Sequence, residues 1–247
     1  IAQQQSMQTA TQSTVAQHST LIAQQQSAMA TQSTLVAQQQ STISQLSSSV
    51  ANLGSSFCVN SSNATRTANS TIDSTDSVGQ YTSLALTTGG FPVISYYDAT
   101  NGDLKLAVCA VATCSSGTTI RTIDSTGNVG QYTSLVLTTA GFPVISYYDA
   151  TNADLKLAVC ADATCSSGTT IRTIDSTGNV GEHTSLALTT ADFPVISYFA
   201  ASGGDLKLAV CTDATCSSGT IFRTIDSTGN VGWYTSLALT TAGFPVI

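Results

Sequence analysis

A repeat of 51 residues is the feature that most constrains the fold of this chain. Its anchor, Thr-Ile-Asp-Ser-Thr, begins at Thr71 and returns at Thr122, Thr173 and Thr224. The first two complete copies differ at only six positions, so both must fold in nearly the same way. A unit of this size buries its apolar face against its neighbours. The spacing therefore predicts an array of stacked, equivalent units over residues 71–247.

Four strand-like runs alternate with turn residues inside each unit. In the first copy they cover residues 81–87, 91–97, 104–109 and 118–124. Leucines and a valine share one face of the third run, where a lysine and an alanine occupy the other face. A strand with one apolar face needs cover, which a stacked neighbour supplies. Four short antiparallel strands in a unit of this length match the blade of a β-propeller.

Three recurring segments carry a family resemblance: Tyr-Thr-Ser-Leu-Ala-Leu, Phe-Pro-Val-Ile-Ser-Tyr-Tyr-Asp and Gly-Asp-Leu-Lys-Leu-Ala-Val-Cys. Through them, residues 71–247 resemble secreted β-propeller repeat proteins. The resemblance implies an architecture and no particular activity. We expect a mainly β fold, a propeller-like array of four-stranded antiparallel blades over residues 73–247, with an N-terminal α-helical coiled coil.

An earlier, decayed unit is suggested by Leu53 and Cys58, which lie 51 residues before Leu104 and Cys109. Residues 53–73 would then supply its third and fourth strands. Together with the partial unit that ends at Ile247, these strands would close a small four-bladed ring. The alternative is that the repeats continue beyond Ile247 in a longer chain.

Residues 1–56 follow a different period and contain no charged residue apart from His18. Apolar residues recur every seven positions, whereas the positions three residues later are mostly polar. The residues at this position are Ile1, Gln8, Val15, Ile22, Met29, Val36, Ile43 and Val50, all apolar except Gln8. This period predicts a left-handed coiled-coil stalk that joins chains into a homo-oligomer, a trimer or higher. A disordered Gln/Ser/Thr tract is the alternative.

The cysteines and sequons point to an oxidising compartment. Six of the seven cysteines form pairs at one spacing, Cys109/Cys114, Cys160/Cys165 and Cys211/Cys216, which predicts one small disulfide loop per unit rather than zinc sites. Cys58 has no counterpart at this spacing. Sequons at Asn60, Asn63 and Asn69 predict glycans on a neck spanning residues 57–72. We expect an extracellular, cell-surface or virion-surface protein.

Charge excludes some partners. The net charge is −7 and only seven Lys plus Arg are present, so no basic patch is available for nucleic acid. No apolar run reaches the roughly 20 residues that span a bilayer. We expect no cofactor, no metal and no catalytic residue, because the charged residues recur once per unit instead of forming one singular group. Such repetition favours Asp–Arg and Asp–Lys pairs between strands or blades. The segment 98–103 is an Asx-type turn or a calcium loop.

The most variable position of the repeat holds Gln80, Gln131, Glu182 and Trp233, and Tyr81, Tyr132, His183 and Tyr234 follow it. An aromatic ring beside polar groups can contact a ligand such as a sugar. The candidate contacts are Trp233, Tyr81, Tyr132 and Tyr234. The sequence as a whole predicts a non-enzymatic structural or adhesive protein, an extracellular fibre, spike or filament. A lectin-like head that binds carbohydrate is the alternative.

Overall fold

A computed structural model describes residues 2–57 and 70–247, with the side chains of residue 10 and residues 44–57 left out. The chain separates into two compact units, Ile1–Ala68 and Asn69–Ile247. The sequons at Asn60, Asn63 and Asn69, Cys58 and most of the predicted neck lie outside the described residues. The predicted glycans therefore stay a prediction.

One α-helix, α1 (Ala2–Phe57), forms the first unit. It is helical despite many Ser and Thr residues, whose hydroxyls donate to carbonyls one turn back, as Thr11 Oγ1 does to the Met7 carbonyl at 2.9 Å. The apolar residues at the seven-residue spacing, Val15, Ile22, Met29, Val36 and Ile43, are all exposed in this single chain. No described helix has the length and hydrophobicity that a bilayer crossing requires.

Three complete four-stranded antiparallel blades form the second unit, and each keeps its strands in chain order. Blade 1 contains β1 (Val78–Leu86), β2 (Pro92–Asp98), β3 (Asp103–Val108) and β4 (Thr119–Asp124). Blade 2 contains β5 (Val129–Leu137), β6 (Pro143–Asp149), β7 (Asp154–Val159) and β8 (Thr170–Asp175). Blade 3 contains β9 (Val180–Leu188), β10 (Pro194–Ala200), β11 (Asp205–Cys211) and β12 (Thr220–Asp226). The short strands β13 (Ala238–Leu239) and β14 (Pro245–Val246) begin a fourth unit.

The predicted fold class is confirmed: the protein is mainly β, built from propeller-like four-stranded blades, with one N-terminal helix. The first strand of each blade begins three residues earlier than the sequence pattern indicated. A bulge interrupts the alternation of side chains in β1, where the register shifts between residues 78 and 80 and again between residues 80 and 83. The strand continues past the bulge to Val78, which pairs with Asp98.

Successive blades stack through their first strands and bury apolar side chains from both partners. The core between blades 1 and 2 joins Leu104 and Leu106 to Leu135 and Tyr147. The core between blades 2 and 3 repeats it with the equivalent residues. Leu84 in blade 1 is 59% exposed, whereas its equivalent Leu135 in blade 2 is 4% exposed, because blade 1 covers blade 2. Stacking thus supplies the cover that the strand pattern requires.

One part of the earlier-unit prediction is wrong. Residues 53–57 belong to helix α1 and do not form a strand, so the match at Leu53 is a coincidence of spacing. Residues 58–69 of that predicted unit lie outside the described part of the chain.

Candidate functional site

Each junction between blades is held by a carboxylate from the preceding unit. Asp124 Oδ2 accepts hydrogen bonds from Tyr147 Oη at 2.7 Å and Lys156 Nζ at 2.6 Å. Asp73 with Tyr96 and Lys105, and Asp175 with Tyr198 and Lys207, repeat the arrangement. The predicted Asp–Lys pairs between blades are confirmed. No Asp–Arg ion pair forms in the described part of the chain, where the equivalent arginines are exposed on the outer strands.

The environment keeps these carboxylates ionised. Burial by itself would raise the pKa of Asp124, but the hydrogen bonds from Lys156 and Tyr147 outweigh it and hold that pKa below its ordinary value. Burial raises the pKa of the Tyr147 hydroxyl, and the Asp124 charge adds to the effect. An ionised acid, a neutral phenol and an ammonium therefore form a satisfied network. These groups stabilise the stack and are not free for chemistry.

The segment 98–103 is confirmed as an Asx-type turn. Asp98 Oδ1 accepts the backbone N–H groups of Thr100 and Asn101 at 3.0 and 3.1 Å, and Asn101 Nδ2 donates to Asp98 Oδ2 at 3.0 Å. Asp149 repeats these bonds in blade 2. Within residues 2–57 and 70–247, no group of three His, Cys, Asp or Glu is arranged to hold a metal.

The three predicted disulfides are present, Cys109–Cys114, Cys160–Cys165 and Cys211–Cys216. Each closes the loop between the third and fourth strands of its blade, because the second cysteine adopts a left-handed backbone that turns it back toward the first. Three disulfides fit a secreted or extracellular protein.

An aromatic row runs across the first strands of successive units and consists of Tyr81, Tyr132, His183 and Tyr234. Neighbouring ring centroids in this row are 4.5, 4.3 and 4.3 Å apart. All four residues adopt positive φ between 52° and 55°, which is uncommon for bulky residues and costs on the order of 1–3 kcal/mol each. In blades 1 to 3 this backbone coincides with the bulge in the first strand. The repeat preserves it in every copy despite the strain.

The row lines one shallow pocket of about 260 Å³, shared with the threonine that follows each aromatic residue. Thr133 and Thr184 are tied to serines of the preceding blade, with Ser95 Oγ and Thr133 Oγ1 2.8 Å apart. These hydroxyls therefore fix the pocket wall. The faces of the aromatic rings therefore form the part of the pocket that a ligand can contact.

His183 is the exception in the row, because the other three positions hold tyrosine. It is only 8% exposed, and its Nε2 atom is buried without a hydrogen-bond partner among the described residues. Burial lowers the pKa of His183, against the opposing effect of Glu182, so the imidazole is neutral at neutral pH. A buried nitrogen without a hydrogen bond is costly, so this atom needs a partner beyond the described residues, such as a water molecule.

The last junction, where blade 3 meets residues 230–247, departs from the pattern of the earlier ones. In blades 1 and 2 a tyrosine hydroxyl donates to an asparagine of the next unit, Tyr97 to Asn128 at 2.6 Å and Tyr148 to Asn179 at 2.9 Å. Phe199 replaces this tyrosine in blade 3, and Asn230 Oδ1 accepts from Trp233 Nε1 at 3.1 Å, as Asn128 Oδ1 also accepts from Gln131 Nε2 at 3.4 Å.

The indole fills the space beside the phenyl ring at this junction. The rings of Trp233 and Phe199 lie 4.9 Å apart, and His183 is 5.2 Å from Trp233. Trp233 is 48% exposed and Tyr234 is 78% exposed. The two changes from the repeat, Phe199 and Trp233, thus lie against each other beside His183, whose Nε2 atom has no hydrogen-bond partner among the described residues.

A second departure has a structural explanation. Asp192 stands where the other units hold glycine, and its carboxylate accepts from Thr139 of the preceding blade, with Thr139 N 3.0 Å from Oδ1 and Thr139 Oγ1 2.7 Å from Oδ2. It links the loops of blades 2 and 3.

The structure places all four predicted contacts, Trp233, Tyr81, Tyr132 and Tyr234, around this row. Sequence reasoning missed His183 as a member of the buried wall, and it missed Phe199 and Asn230. Aligning the copies at the position of Tyr97, Tyr148 and Phe199 would have exposed the lost hydroxyl. The effect of losing this hydroxyl depends on Asn230, which lies 31 positions later in the chain.

Comparisons with known proteins concern the fold. No protein-family model and no curated protein matches the sequence. A solved β-1,3-galactosidase of glycoside hydrolase family 43 matches with a TM-score of 0.47 and 11% identity, over 65% of this chain and 36% of that one. An α-L-arabinofuranosidase from Lactobacillus brevis matches with a TM-score of 0.41 and 10% identity, over 59% and 53%. A triple mutant of AofleA from Arthrobotrys oligospora matches with a TM-score of 0.45 and 12% identity, over 64% and 49%.

These matches span between about a third and just over half of the solved chains. Two of the three proteins named above are glycosidases, and no structural fibre appears among them. The predictions of a non-enzymatic structural or adhesive fibre, and of a protein that is not an enzyme, are contradicted by these comparisons. The repetition of charged residues indicated a preserved shape, but a preserved shape does not decide what its surface does.

Proposed function

We propose that the second unit binds carbohydrate at the last junction, through the aromatic row and Trp233. The observation that carries this proposal is the row of aromatic rings that lines one pocket, with Trp233 beside its His183 member. Sugar rings present a face of C–H groups, which packs on aromatic rings, and a rim of hydroxyls, which needs hydrogen-bonding partners. The junction offers both kinds of contact.

The test is binding of the full chain to a glycan array, followed by calorimetry on the strongest binder. Trp233→Ala and Tyr234→Ala should each weaken binding about 10- to 30-fold, as expected for aromatic anchors. Phe222→Ala is the matched control, because Phe222 is also an exposed aromatic residue but lies on the outer strand β12. An array without any binder would refute the proposal, as would equal losses in all three variants.

The same glycans should be assayed for new reducing ends after incubation with the protein. Cleavage would show that the site is catalytic as well as binding, which the comparisons with glycosidases make worth measuring. Binding without cleavage would leave the carbohydrate-binding proposal as stated.

We also propose that residues 1–56 join this head into a homo-oligomer, a trimer or higher, outside the cell on a cell or virion surface. The support is the exposed apolar stripe of α1, which recurs at the seven-residue spacing of a coiled-coil seam. Oligomerisation would convert weak glycan contacts into avidity.

Analytical ultracentrifugation of the full chain tests this second proposal. Ile22→Lys should reduce the oligomer toward monomer, because Ile22 lies in the stripe. Thr20→Lys is the matched control, because it adds the same charge outside the stripe. A monomeric wild-type chain at micromolar concentration would refute the proposal.

A further inference from the structure

We infer that the two ends of the blade stack bind each other between two copies of this chain, in a head-to-tail contact that repeats the junctions inside the stack. The front face is the side of blade 1 that points away from blade 2, and the rear face is the side of the partial fourth unit that points away from blade 3. The front face consists of Val78, Gly79, Tyr81, Leu84 and Leu86, and the rear face of Tyr234, Ser236, Ala238 and Val246. This contact goes beyond carbohydrate binding and does not depend on it.

The front face is a first-strand surface that lacks the cover of its equivalents. Gly130 in blade 2 fits so closely against blade 1 that an added Cβ would lie 2.7 Å from Leu104 Cα. Gly79 holds the equivalent position in blade 1, where an added Cβ would meet no described atom within 4 Å. Leu84 and Leu86 are exposed, and a pocket of about 450 Å³ is lined by Gly79 and Leu84. The front face therefore has room for another unit.

The rear face is the surface with which each complete unit holds the next one. Val93 is 1% exposed in the core between blades 1 and 2, whereas its equivalent Val246 is 57% exposed. Ser83 Oγ accepts a hydrogen bond from Leu135 N of the next blade at 2.9 Å, whereas the equivalent Ser236 is exposed. Both rear residues can therefore contact a further unit.

The two faces complement each other contact by contact. Ser236 Oγ of one copy would accept from Leu84 N of the other, which is the bond that Ser83 and its two equivalents make inside the stack at 2.9 to 3.0 Å. Val246 of one copy would pack with Leu84 of the other, as their equivalents share one core between blades 1 and 2. Docking would thus bury apolar side chains that are exposed in a single copy.

The aromatic row continues across the same contact. Tyr81 and Tyr132 lie 4.5 Å apart where blade 1 meets blade 2. Tyr234 ends the row at the rear face and Tyr81 begins it at the front face, and both are exposed. Docking would place Tyr234 of one copy beside Tyr81 of the other. Neither face includes a charged residue, so like charges within the contact do not oppose docking.

A second copy is the occupant because each chain presents both faces at the same time. Leu84 and Val246 are both exposed within one copy, so the two faces of that copy do not cover each other. A contact between unlike faces of two copies covers one front face and one rear face. It uses the stacking geometry that the junctions between blades 1, 2 and 3 already have.

The experiment is sedimentation velocity on the full chain carrying Ile22→Lys, which weakens association through residues 1–56 equally in every variant compared. We expect the sedimentation coefficient of this parent chain to rise with concentration up to about 100 μM, the range in which weak contacts are populated. Leu84→Glu and Val246→Glu should each weaken this self-association at least about tenfold, because each would bury an unpaired charge. Melting temperatures check that both variants are folded.

Thr173→Glu is the matched control, because it adds the same charge to an exposed position of blade 2, which lies at neither end of the stack. It should associate as the parent chain does. A mixture of the Leu84→Glu and Val246→Glu chains should form a complex of one copy of each, because one retains its rear face and the other its front face.

A parent chain that stays monomeric at every concentration would overturn the inference. The same holds for a mixture that does not associate, and for a Val246→Glu chain that associates as strongly as the parent. Glycans take no part in this measurement, so the head-to-tail contact and the proposed carbohydrate binding fail separately.

Discussion

The junction between blades 1 and 2 and the last junction are built from the same repeat but present different surfaces. At the first, Tyr97 donates to Asn128, and within blade 1 Lys105 lies 3.7 Å from Asp98. At the last, Phe199 and Ala200 have replaced the tyrosine and the aspartate. The contacts of the first strand with its neighbour are kept, whereas the side chains at positions 199, 200 and 233, here called the rim, have changed.

This difference separates residues that build the stack from residues that are free to change. The serine that caps the next first strand is retained at the last junction, where Leu237 N donates to Ser185 Oγ at 2.9 Å. The close approach at Gly181, whose Cβ would lie 2.6 Å from Leu155 Cα, recurs at Gly232 beside Leu206. Only the rim has diverged, and the following predictions test whether that division is real.

Acidification should have the largest effect, because it removes all three junction carboxylates together. Hydrogen bonds from lysine and tyrosine lower the folded-state pKa of Asp124 and Asp175 below the ordinary value of 3.8, despite burial. Below pH 3.8 the unfolded state therefore binds more protons than the folded state. The free energy of unfolding of the second unit should be constant above about pH 5. It should fall steeply as the pH drops below 3.8, the ordinary pKa of these carboxyls.

Urea titrations between pH 2.5 and 7 measure this effect, which should be shallower in Asp124→Asn. Equal slopes in the wild type and Asp124→Asn would show that other groups govern acid unfolding.

Removing one junction carboxylate should be the next largest effect. Asp124→Ala leaves the ammonium of Lys156 and the hydroxyl of Tyr147 buried without their partner, which should cost about 3–5 kcal/mol of unfolding free energy. Asp226→Ala is the matched control, because Asp226 is exposed at the same repeat position. It should cost less than about 1 kcal/mol. Similar losses in both variants would contradict the assigned role of the buried triad.

Replacing rim residues of the last junction with those of the earlier junctions should change the free energy of unfolding little and the affinity for glycans greatly. Phe199→Tyr combined with Trp233→Gln rebuilds the tyrosine–asparagine bond of the earlier junctions. The lost ring packing and the restored hydrogen bond should offset each other to within about 1 kcal/mol. Glycan binding should fall to the background level. Retained binding would place the ligand elsewhere on the molecule.

Tyr148→Phe in blade 2 is the converse change. It removes one hydroxyl donor from Asn179 and should cost about 1 kcal/mol without affecting glycan binding. Calorimetry and urea denaturation of both proteins decide between these outcomes.

The smallest effect should come from His183. Burial lowers its folded-state pKa, so below pH 6.5 the unfolded chain takes up this proton more readily than the folded one. A slight loss of stability should appear as the pH falls below 6.5 and should be absent in His183→Tyr, which installs the residue of the other units. Melting temperatures at pH 5 and pH 7.5 measure it. An identical pH dependence in both proteins would assign the loss to another group.

The sequence indicated the fold well because the relevant signals are local. Alternating residues along 104–108 define strand faces, and cysteines five positions apart can pair within one loop. Leu53 misled the analysis of the earlier unit, because spacing alone does not distinguish a strand from the end of a 56-residue helix. The function was misjudged for a related reason. The repeated charged residues identify the contacts that hold the blades together, but they do not indicate what the rim residues bind.

The site was only half visible in the sequence. Trp233 stood out as the single tryptophan at a variable position, and the tyrosines at positions 81, 132 and 234 recur beside it. His183 looked like another variable surface residue. Its burial depends on the rings of Tyr132 and Tyr234, each 4.3 Å away and 51 residues distant in the chain.

By itself the sequence determined a repeating four-stranded unit, a disulfide in each blade and a long uncharged helix, because each depends on residues close together in the chain. Only the tertiary structure decided that Asp124 serves the next blade, that four strained aromatic residues meet around one pocket, and that Trp233 packs on Phe199. These contacts join residues of different units. Their geometry follows from how one blade stacks on the next, which a period in the sequence implies but does not measure.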